Sequence, residues 1–330
     1  MLLRAMEAAS VTGQAGLPRT RHFGDRIGDG LLYGLTAAAS ILGVLCVFAI
    51  IWRVIQGAWP AIKVYHLDFL WHSQWNATLN QFGAKEFIIG TVVTSFGAIV
   101  LAAPISIAIG LFLSELAPPA VRAPVGTLVD MLAAVPSVVI GLWGIYVLSP
   151  FNAQHVAPFL SRFLGWIPIF AHGEDKVEST VFTAIIVLTI MIIPITSSIC
   201  RELFIGVPSE LEEGSIGLGA TRWEMVKTVV VPSVRGGVVA AVILGLGRAL
   251  GEAIAVTQVI GNFIPLKRSI FEPGDTIASR VANQYQGAVT NIQISALIYL
   301  ALILLVITFI TNLAAQRVIK RFEFQRTGGD

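Results

Sequence analysis

The chain has 330 residues, of which 55% are hydrophobic and only 13% are charged, and its formal net charge is +2. Soluble globular domains carry about 25% charged residues, so this composition excludes an ordinary soluble domain and indicates a membrane protein. The small net charge, with no basic run interleaved with aromatic residues, excludes nucleic acid as a partner. Cys46 and Cys200 are the only cysteines, and both lie in or beside apolar stretches, so no structural disulfide is expected.

Six apolar stretches are long enough to cross about 30 Å of hydrocarbon as α-helices. The sequence therefore predicts an all-α membrane protein with six transmembrane helices. In chain order the predicted spans are Leu31–Trp52, Phe87–Leu113, Pro124–Leu148, Thr180–Ser198, Gly236–Ile260 and Ile294–Leu313. The first apolar stretch is too long, and too far from the N-terminus, for the apolar region of a cleaved signal peptide, so we expect it to be retained as a span.

The basic residues near the span ends are divided unequally between the two sides of the membrane. Thirteen Lys and Arg residues lie on the side of both termini and eight on the other side. Because Lys and Arg accumulate on the cytoplasmic side, both termini and the loop 200–234 are predicted to be cytoplasmic. The predicted organisation is a cytoplasmic N-terminal arm at 1–30, a six-span transmembrane region at 31–313 and a cytoplasmic tail at 314–330.

The third span is interrupted by a charge and a proline. Pro136 removes a helical hydrogen bond, so a kink is expected there. Asp130 is a candidate for the substrate path because charges at bilayer depth are costly and often functional. A position near the cytoplasmic interface would explain Asp130 equally well. In the outer loop after the fifth span we expect a short helix near Ile277–Tyr285.

The polar loop between the fourth and fifth spans carries strong helix-capping signals. Ser209 with Glu212, and Thr221 with Glu224, match the capping box, in which two side chains satisfy the free N–H groups at the start of a helix. Gly219, between them, suits the end of a helix, where the backbone often requires positive φ. We therefore predict two short helices that are broken at Gly219 and present a docking surface.

The fifth span contains two opposite charges, Arg248 and Glu252, four residues apart. On one helix they would project from the same face, and Gly247 with Gly251 would let another backbone approach closely. The guanidinium fork of arginine suits a tetrahedral oxyanion, and Glu252 would hold Arg248 when no substrate is present. A structural salt bridge that joins two helices is the alternative, and Asp130 is a further candidate partner for Arg248.

The loop between the fourth and fifth spans resembles the motif of ABC importer permeases, E-A-A, three residues, G, nine residues, I-x-L-P. Glu213, Gly219 and Pro232 occupy motif positions, and valines replace the Ile and Leu. In that family the loop is a cytoplasmic coupling helix that fits a groove on the ATPase subunit. The resemblance assigns ATPase coupling to Glu212, Glu213, Gly219, Ala220 and Pro232.

Residues 245–262, GLGRALGEAIAVTQVIGN, resemble the C-type permeases of high-affinity phosphate importers, a PstC-like branch of the ABC importer permeases. Residues 82–95, 112–119 and 130–144 support the same branch, and the similarity runs from about Trp75 to the C-terminus. Ala253 and Ile254 stand where that branch is expected to carry Thr and Met.

The resemblance implies the type I importer permease fold in a bacterial inner membrane. It also implies a second permease subunit, two ATP-binding subunits, a periplasmic phosphate-binding protein and inorganic phosphate as substrate. The chain has no Gly-Lys dipeptide for a phosphate-binding loop and no HExxH motif, so we expect no catalysis, cofactor or metal. Two alternatives stay open: a permease for sulfate or molybdate, and a channel or secondary transporter with Glu252 as a proton relay. No internal repeat supports the latter.

Overall fold

The computed structural model describes residues 23–171, 178–265 and 268–327. The predicted arm at 1–30 and tail at 314–330 therefore lie partly outside the described residues. The helices are α1 (Phe23–Tyr65), α2 (Lys85–Leu116), α3 (Pro119–Ala133), α4 (Ser137–Leu164), α5 (Val181–Ile205), α6 (Ser209–Gly217), α7 (Arg222–Gly251), α8 (Ile254–Val259), α9 (Ile277–Gln284) and α10 (Asn291–Thr327). Two short strands, β1 (Trp75–Asn76) and β2 (Gln81–Phe82), pair antiparallel.

Within the described ranges, five helices are long and apolar enough to cross a membrane, and a sixth span results if α3 and α4 are counted together. The predicted all-α membrane fold is confirmed, and the predicted number of six spans is reached when the bent pair α3 and α4 counts as one span. Contacts divide the chain into two compact units after Arg53. In the first unit, the most apolar stretch of α1 has no buried side chain, as expected for a helix that faces lipid or another subunit. The second unit holds the remaining helices.

The third span is not one kinked helix, as the sequence suggested, but two helices. α3 and α4 are bent by 93° at a short break. Pro136 is the residue before α4 and has an extended backbone, with φ −58° and ψ 137°. A proline also disfavours helical backbone in the residue before it, so the break falls where the helix would otherwise continue.

Prolines also explain four widened helical turns among the described residues. Each is a π-helical turn that ends two residues before a proline, at Leu116, Leu148, Val156 and Val230. The proline ring removes one backbone donor and crowds the carbonyl four residues earlier, and a wider turn relieves both effects. In α7 this proline is the motif residue Pro232. It therefore sets the shape of α7 at the point where the helix leaves the polar loop between the fourth and fifth spans.

α5 is the central helix of the second unit. Two thirds of its most apolar stretch is buried, twice the share in α2 or α10. It packs along α2 and α7 through close glycine contacts: a Cβ at Gly97 would lie 2.8 Å from Ile185, and one at Gly245 would lie 2.8 Å from both Ile192 and Thr196. These close approaches join α2, α5 and α7 into one bundle.

Two smaller clusters close the ends of the bundle. At the end that carries the β1–β2 hairpin and α9, Phe69, Phe87 and Leu297 belong to an apolar cluster that includes residues of both elements. At the other end, Phe204 of α5 packs with Met225 and other residues at the start of α7. The short helix expected near Ile277–Tyr285 is confirmed as α9.

Candidate functional site

The first candidate site is the helical hairpin Ser209–Pro232, called the 209–232 hairpin below. Its first helix, α6, ends in a Schellman motif: Gly219 has φ +90°, its N–H donates to Ile216 O at 2.9 Å, and Ala220 N–H donates to Ser215 O at 3.2 Å. The predicted break at Gly219 is confirmed. These two bonds satisfy carbonyls that a helix end would otherwise leave free.

The first predicted capping box, Ser209 with Glu212, is wrong. Pro208 occupies the position before α6 with extended backbone, and no side chain caps this helix. Ser209 is therefore the first helical residue, where its hydroxyl cannot serve as the N-cap.

The second capping box is confirmed. Glu224 N–H donates to Thr221 Oγ1 at 3.3 Å, and Thr221 N–H donates to Glu224 Oε2 at 2.8 Å. Both donors at the start of α7 are thus satisfied by neighbouring side chains, and the turn between the two helices is held at both of its ends.

The 209–232 hairpin exposes apolar side chains on one part of its surface and buries others against the bundle. Leu218 is 93% exposed and Trp223 is 71% exposed, with Leu211 and Ile216 about half exposed. Met225, by contrast, is buried in the cluster at the end of α5. The hairpin is therefore fixed to the bundle on one side and open on the other.

The remaining loop residues assigned to coupling lie on this hairpin. Glu212 is half-buried and Glu213 is exposed, both on α6. Partial burial, together with the nearby charges of Glu115 and Glu213, raises the pKa of Glu212 above its ordinary value. Pro232 follows the widened turn of α7 described above.

The second candidate site is a cavity of about 620 Å³ between α5, α7 and α10, called the Arg248 cavity below. Ile195 lies just past the middle of α5, so the cavity lies well inside the span. Four of the lining residues are polar or charged. The cavity is lined by Ile195, Leu244, Gly247, Arg248, Gly251, Glu252, Thr308 and Asn312.

Arg248 and Glu252 line the same cavity, but they do not lie on one helix. α7 ends at Gly251, and Glu252 is extended, with φ −72° and ψ 119°. Glu252 Oε1 accepts a hydrogen bond from Ala255 N–H at 3.3 Å and so caps the start of α8. The prediction of two charges on one helical face is therefore wrong, because the helix ends between them.

Among the described residues, Arg248 forms no ion pair within 4 Å and no hydrogen bond. Its side chain is exposed. A Cβ at Gly247 or at Gly251 would have no neighbour within 4 Å. Gly247 and Gly251, predicted to pack closely against another helix, are thus not packed against any part of the described chain. They border the cavity.

Asp130 lies elsewhere. Its Oδ2 is 3.6 Å from Arg201 Nη2, and it does not line the Arg248 cavity. The suggested pairing with Arg248 is therefore not formed. The Asp130–Arg201 contact joins α3 to the end of α5 that leads into the 209–232 hairpin.

Two groups of polar residues were not predicted from the sequence as parts of a site or contact. Thr308 and Asn312 of the last span face the Arg248 cavity. Asp275 and Arg280 form a buried ion pair, with Oδ2 and Nη2 2.7 Å apart, and the guanidinium lies over the ring of Phe87 at 4.8 Å. The four-residue spacing of Thr308 and Asn312 could have indicated that both lie on one face of the last span. No local sequence pattern indicated that Asp275 and Arg280 form an ion pair.

An apolar helical bundle with a capped loop hairpin at one end and a charged cavity among its helices is the arrangement expected of a membrane transport permease. The chain belongs to the family described as "Binding-protein-dependent transport system inner membrane component", which matches residues 106–324. It is accordingly a multi-pass inner-membrane protein and an ABC importer permease that works with other transporter subunits.

Several relatives are similar to this chain in sequence over most of its length. The phosphate transport system permease protein PstC of Pasteurella multocida is 42% identical over 286 residues, covering 86% of this chain and 89% of the relative. The protein of the same name from Mesorhizobium japonicum is 39% identical, covering 91% and 92%. PstC 2 of Mycobacterium tuberculosis is 38% identical, covering 89% and 92%.

Solved structures support the fold. A chain of a bacterial alginate ABC transporter, in complex with a periplasmic protein bound to an alginate pentasaccharide, has a TM-score of 0.58 at 20% identity and covers 91% of this chain and 99% of its own length. A chain of the inward-facing MetNI methionine ABC transporter has a TM-score of 0.53 at 16% identity, covering 72% and 94%.

Proposed function

We propose that the chain is the transmembrane permease subunit of an ATP-driven phosphate importer and forms the translocation path with a second, related permease subunit. The names of the relatives, aligned over most of both chains, support phosphate as substrate. The structural observation that carries the proposal is Arg248, an exposed cation of α7 that lines a cavity between three helices and has no ion-pair partner among the described residues. Its planar fork suits a tetrahedral oxyanion.

The 209–232 hairpin is the surface to which an ATP-binding subunit docks. It is rigidly capped, fixed to α5 by Met225, and exposes Leu218 and Trp223 away from the bundle. Exposed apolar side chains on an ordered polar loop are typical of a protein contact. The complete importer contains two ATP-binding subunits, and a periplasmic phosphate-binding protein delivers the substrate.

The hairpin and the cavity are joined by α7. This helix begins at Arg222, within the hairpin, and runs without a break to Gly251 at the cavity, about 45 Å for 30 residues. α5 also connects the cavity with the hairpin, since Ile195 lines the cavity and the helix ends at Ile205, just before the hairpin. When ATP binding draws the two ATP-binding subunits together, the hairpin acts as a lever and α7 carries its movement to Arg248.

The proposed organisation follows from this arrangement. Both termini, including the arm at 1–30 and the tail at 314–330, lie in the cytoplasm with the hairpin, and 31–313 form the permease domain. We assign Asp130 to the inner end of the path, where its contact with Arg201 connects α3 to the hairpin side of α5. The chain supplies the conduit, and ATP hydrolysis takes place on its partners.

The test is phosphate uptake into vesicles that contain the purified importer. Arg248→Gln combined with Glu252→Gln should assemble with all partners and lose ATP-dependent uptake. Arg162→Gln, which removes an exposed arginine outside the cavity, is the matched control and should transport normally. Normal uptake by the double variant at equal abundance would contradict the assignment of the cavity.

Two other functions predict different results in the same vesicles. A permease for sulfate or molybdate would carry those anions, and not phosphate, when given the matching binding protein. A channel or secondary transporter would carry phosphate without ATP. The resemblance of residues 245–262 to the phosphate branch favours phosphate over both alternatives.

A further inference from the structure

Asn312 is a polar side chain of the last span without a hydrogen-bond partner in the described part of the chain. The hydroxyls nearby are satisfied by their own helix, since Thr308 Oγ1 donates to Leu304 O at 2.9 Å and Thr311 Oγ1 donates to Ile307 O at 2.8 Å. An amide inside a span is unfavourable unless water, a ligand or another subunit meets it. Asn312 faces the Arg248 cavity, where a ligand can do so.

The cavity offers few donors for an anion. Thr308 also lines it, but its hydroxyl proton is engaged with the backbone. Glu252 is an acceptor and already receives the Ala255 N–H. Among the described lining side chains, the free donors are therefore the guanidinium of Arg248 and the amide of Asn312.

Arg248 and Asn312 line the same cavity from different helices, so an anion bound in it has both donors in its wall. Gly247 and Gly251 flank Arg248 in sequence, and no atom lies within 4 Å of a Cβ built at either. The wall contributed by α7 thus consists of Leu244, the two glycines and one cation, Arg248. Asn312 and Thr308 lie on α10, which forms another wall.

We propose that Asn312 is a second ligand of the permeating oxyanion, in which its Nδ2 donates to one oxygen of phosphate while the Arg248 fork holds others. The proposal rests on the function proposed above and adds a residue to the same path. A neutral amide adds a directed hydrogen bond without a second positive charge. That suits a conduit, in which the anion must be held and then released.

The sharpest test compares substitutions of similar size in the reconstituted importer with radiolabelled phosphate. Asn312→Leu removes the donor, and Asn312→Asp replaces it with a negative acceptor. Hydrogen bonds to charged groups are strong enough that losing one lowers uptake by about tenfold or more. We expect that loss for Asn312→Leu and a larger one for Asn312→Asp, with unchanged subunit assembly and a lower ratio of phosphate carried to ATP hydrolysed.

Thr311→Val is the matched control, because this hydroxyl bonds its own helix and does not line the cavity. Its uptake should stay within about twofold of the unaltered importer, in keeping with the small effect of an exchange outside the path. Asn312→Gln, which keeps the amide one methylene further out, should retain more uptake than Asn312→Asp. If Asn312→Leu fails to assemble, the comparison of Asn312→Gln with Asn312→Asp tests the proposal instead. Equal uptake by Asn312→Gln and Asn312→Asp would overturn it.

A parallel Arg248→Gln variant separates the two levels of inference. If Arg248→Gln loses uptake while Asn312→Leu transports normally, Asn312 is not a ligand and the path through the cavity stands. If both variants transport normally, the proposed path is wrong and the role of Asn312 fails with it. Loss in both, with Thr311→Val unaffected, supports the two proposals together.

Discussion

Replacing Gly219 with alanine should strain the 209–232 hairpin without creating any collision. Gly219 has φ +90°, and a Cβ built there has no neighbour within 4 Å, so the effect comes from the backbone alone. An L-residue in the left-handed region costs about 1–2 kcal/mol. That free energy corresponds to a factor of about 5 to 30 in the equilibrium constant between the hairpin conformation and its alternatives.

Docking requires the hairpin in this conformation, so the apparent affinity for the ATP-binding subunit should fall by up to the same factor. We expect the dissociation constant for the purified ATP-binding subunit, titrated against the permease pair in nanodiscs, to rise measurably, with an upper limit of about 30-fold. ATP-dependent uptake should fall with it. Membrane abundance should not change, because Gly219 is exposed and lies outside the packed bundle.

Gly217→Ala is the matched control. A Cβ at 217 also has no neighbour within 4 Å, but this residue is helical, so alanine should favour the helix by about 0.5–1 kcal/mol. Gly219→Asn should fall between the two, since asparagine tolerates positive φ better than alanine. Unchanged affinity for Gly219→Ala, or equal losses at positions 217 and 219, would refute the reasoning.

Three further predictions concern the end of the bundle that carries α9 and the topology. Arg280→Gln should leave Asp275 as an unpaired buried carboxylate and lower the free energy of unfolding by about 3–5 kcal/mol, measured by thermal unfolding in detergent; adding Asp275→Asn should recover most of the loss. Gly90→Ala should reduce membrane abundance sharply, because its Cβ would collide with the Asp275 carbonyl oxygen, and normal abundance would contradict this contact. Single cysteines at Thr20 and Gly328, in a cysteine-free background, should resist an impermeant thiol reagent in intact cells.

The parts of the 209–232 hairpin that could be predicted are those that depend on near neighbours in the sequence. The Gly219 break and the Thr221–Glu224 capping box each involve residues within five positions, so the pattern contains the whole interaction. The Ser209–Glu212 box failed for an equally local reason. Pro208 took the N-cap position, and a proline is well suited to the extended backbone there.

The features that could not be predicted depend on distant residues. The apolar pattern runs smoothly through Gly251, so nothing local shows that α7 ends there and that Glu252 caps a new helix. The 93° angle at Pro136 depends on the packing of α3 against α5, although the proline predicted a kink. Asn312 becomes a candidate only when α10 is seen beside Arg248.

Two ion pairs among the described residues show the contact that a helix-joining salt bridge at Arg248 would require. Arg280 lies 2.7 Å from Asp275 in a buried contact, and Arg201 lies 3.6 Å from Asp130. A helix-joining salt bridge at Arg248 would require a similar contact, and none exists among the described residues, because the end of α7 directs Glu252 to the start of α8. An unpaired charge at this depth costs at least about 2.5–3.5 kcal/mol on insertion scales. No ion pair or hydrogen bond among the described residues offsets that free energy. In the function proposed above, a passing anion does so.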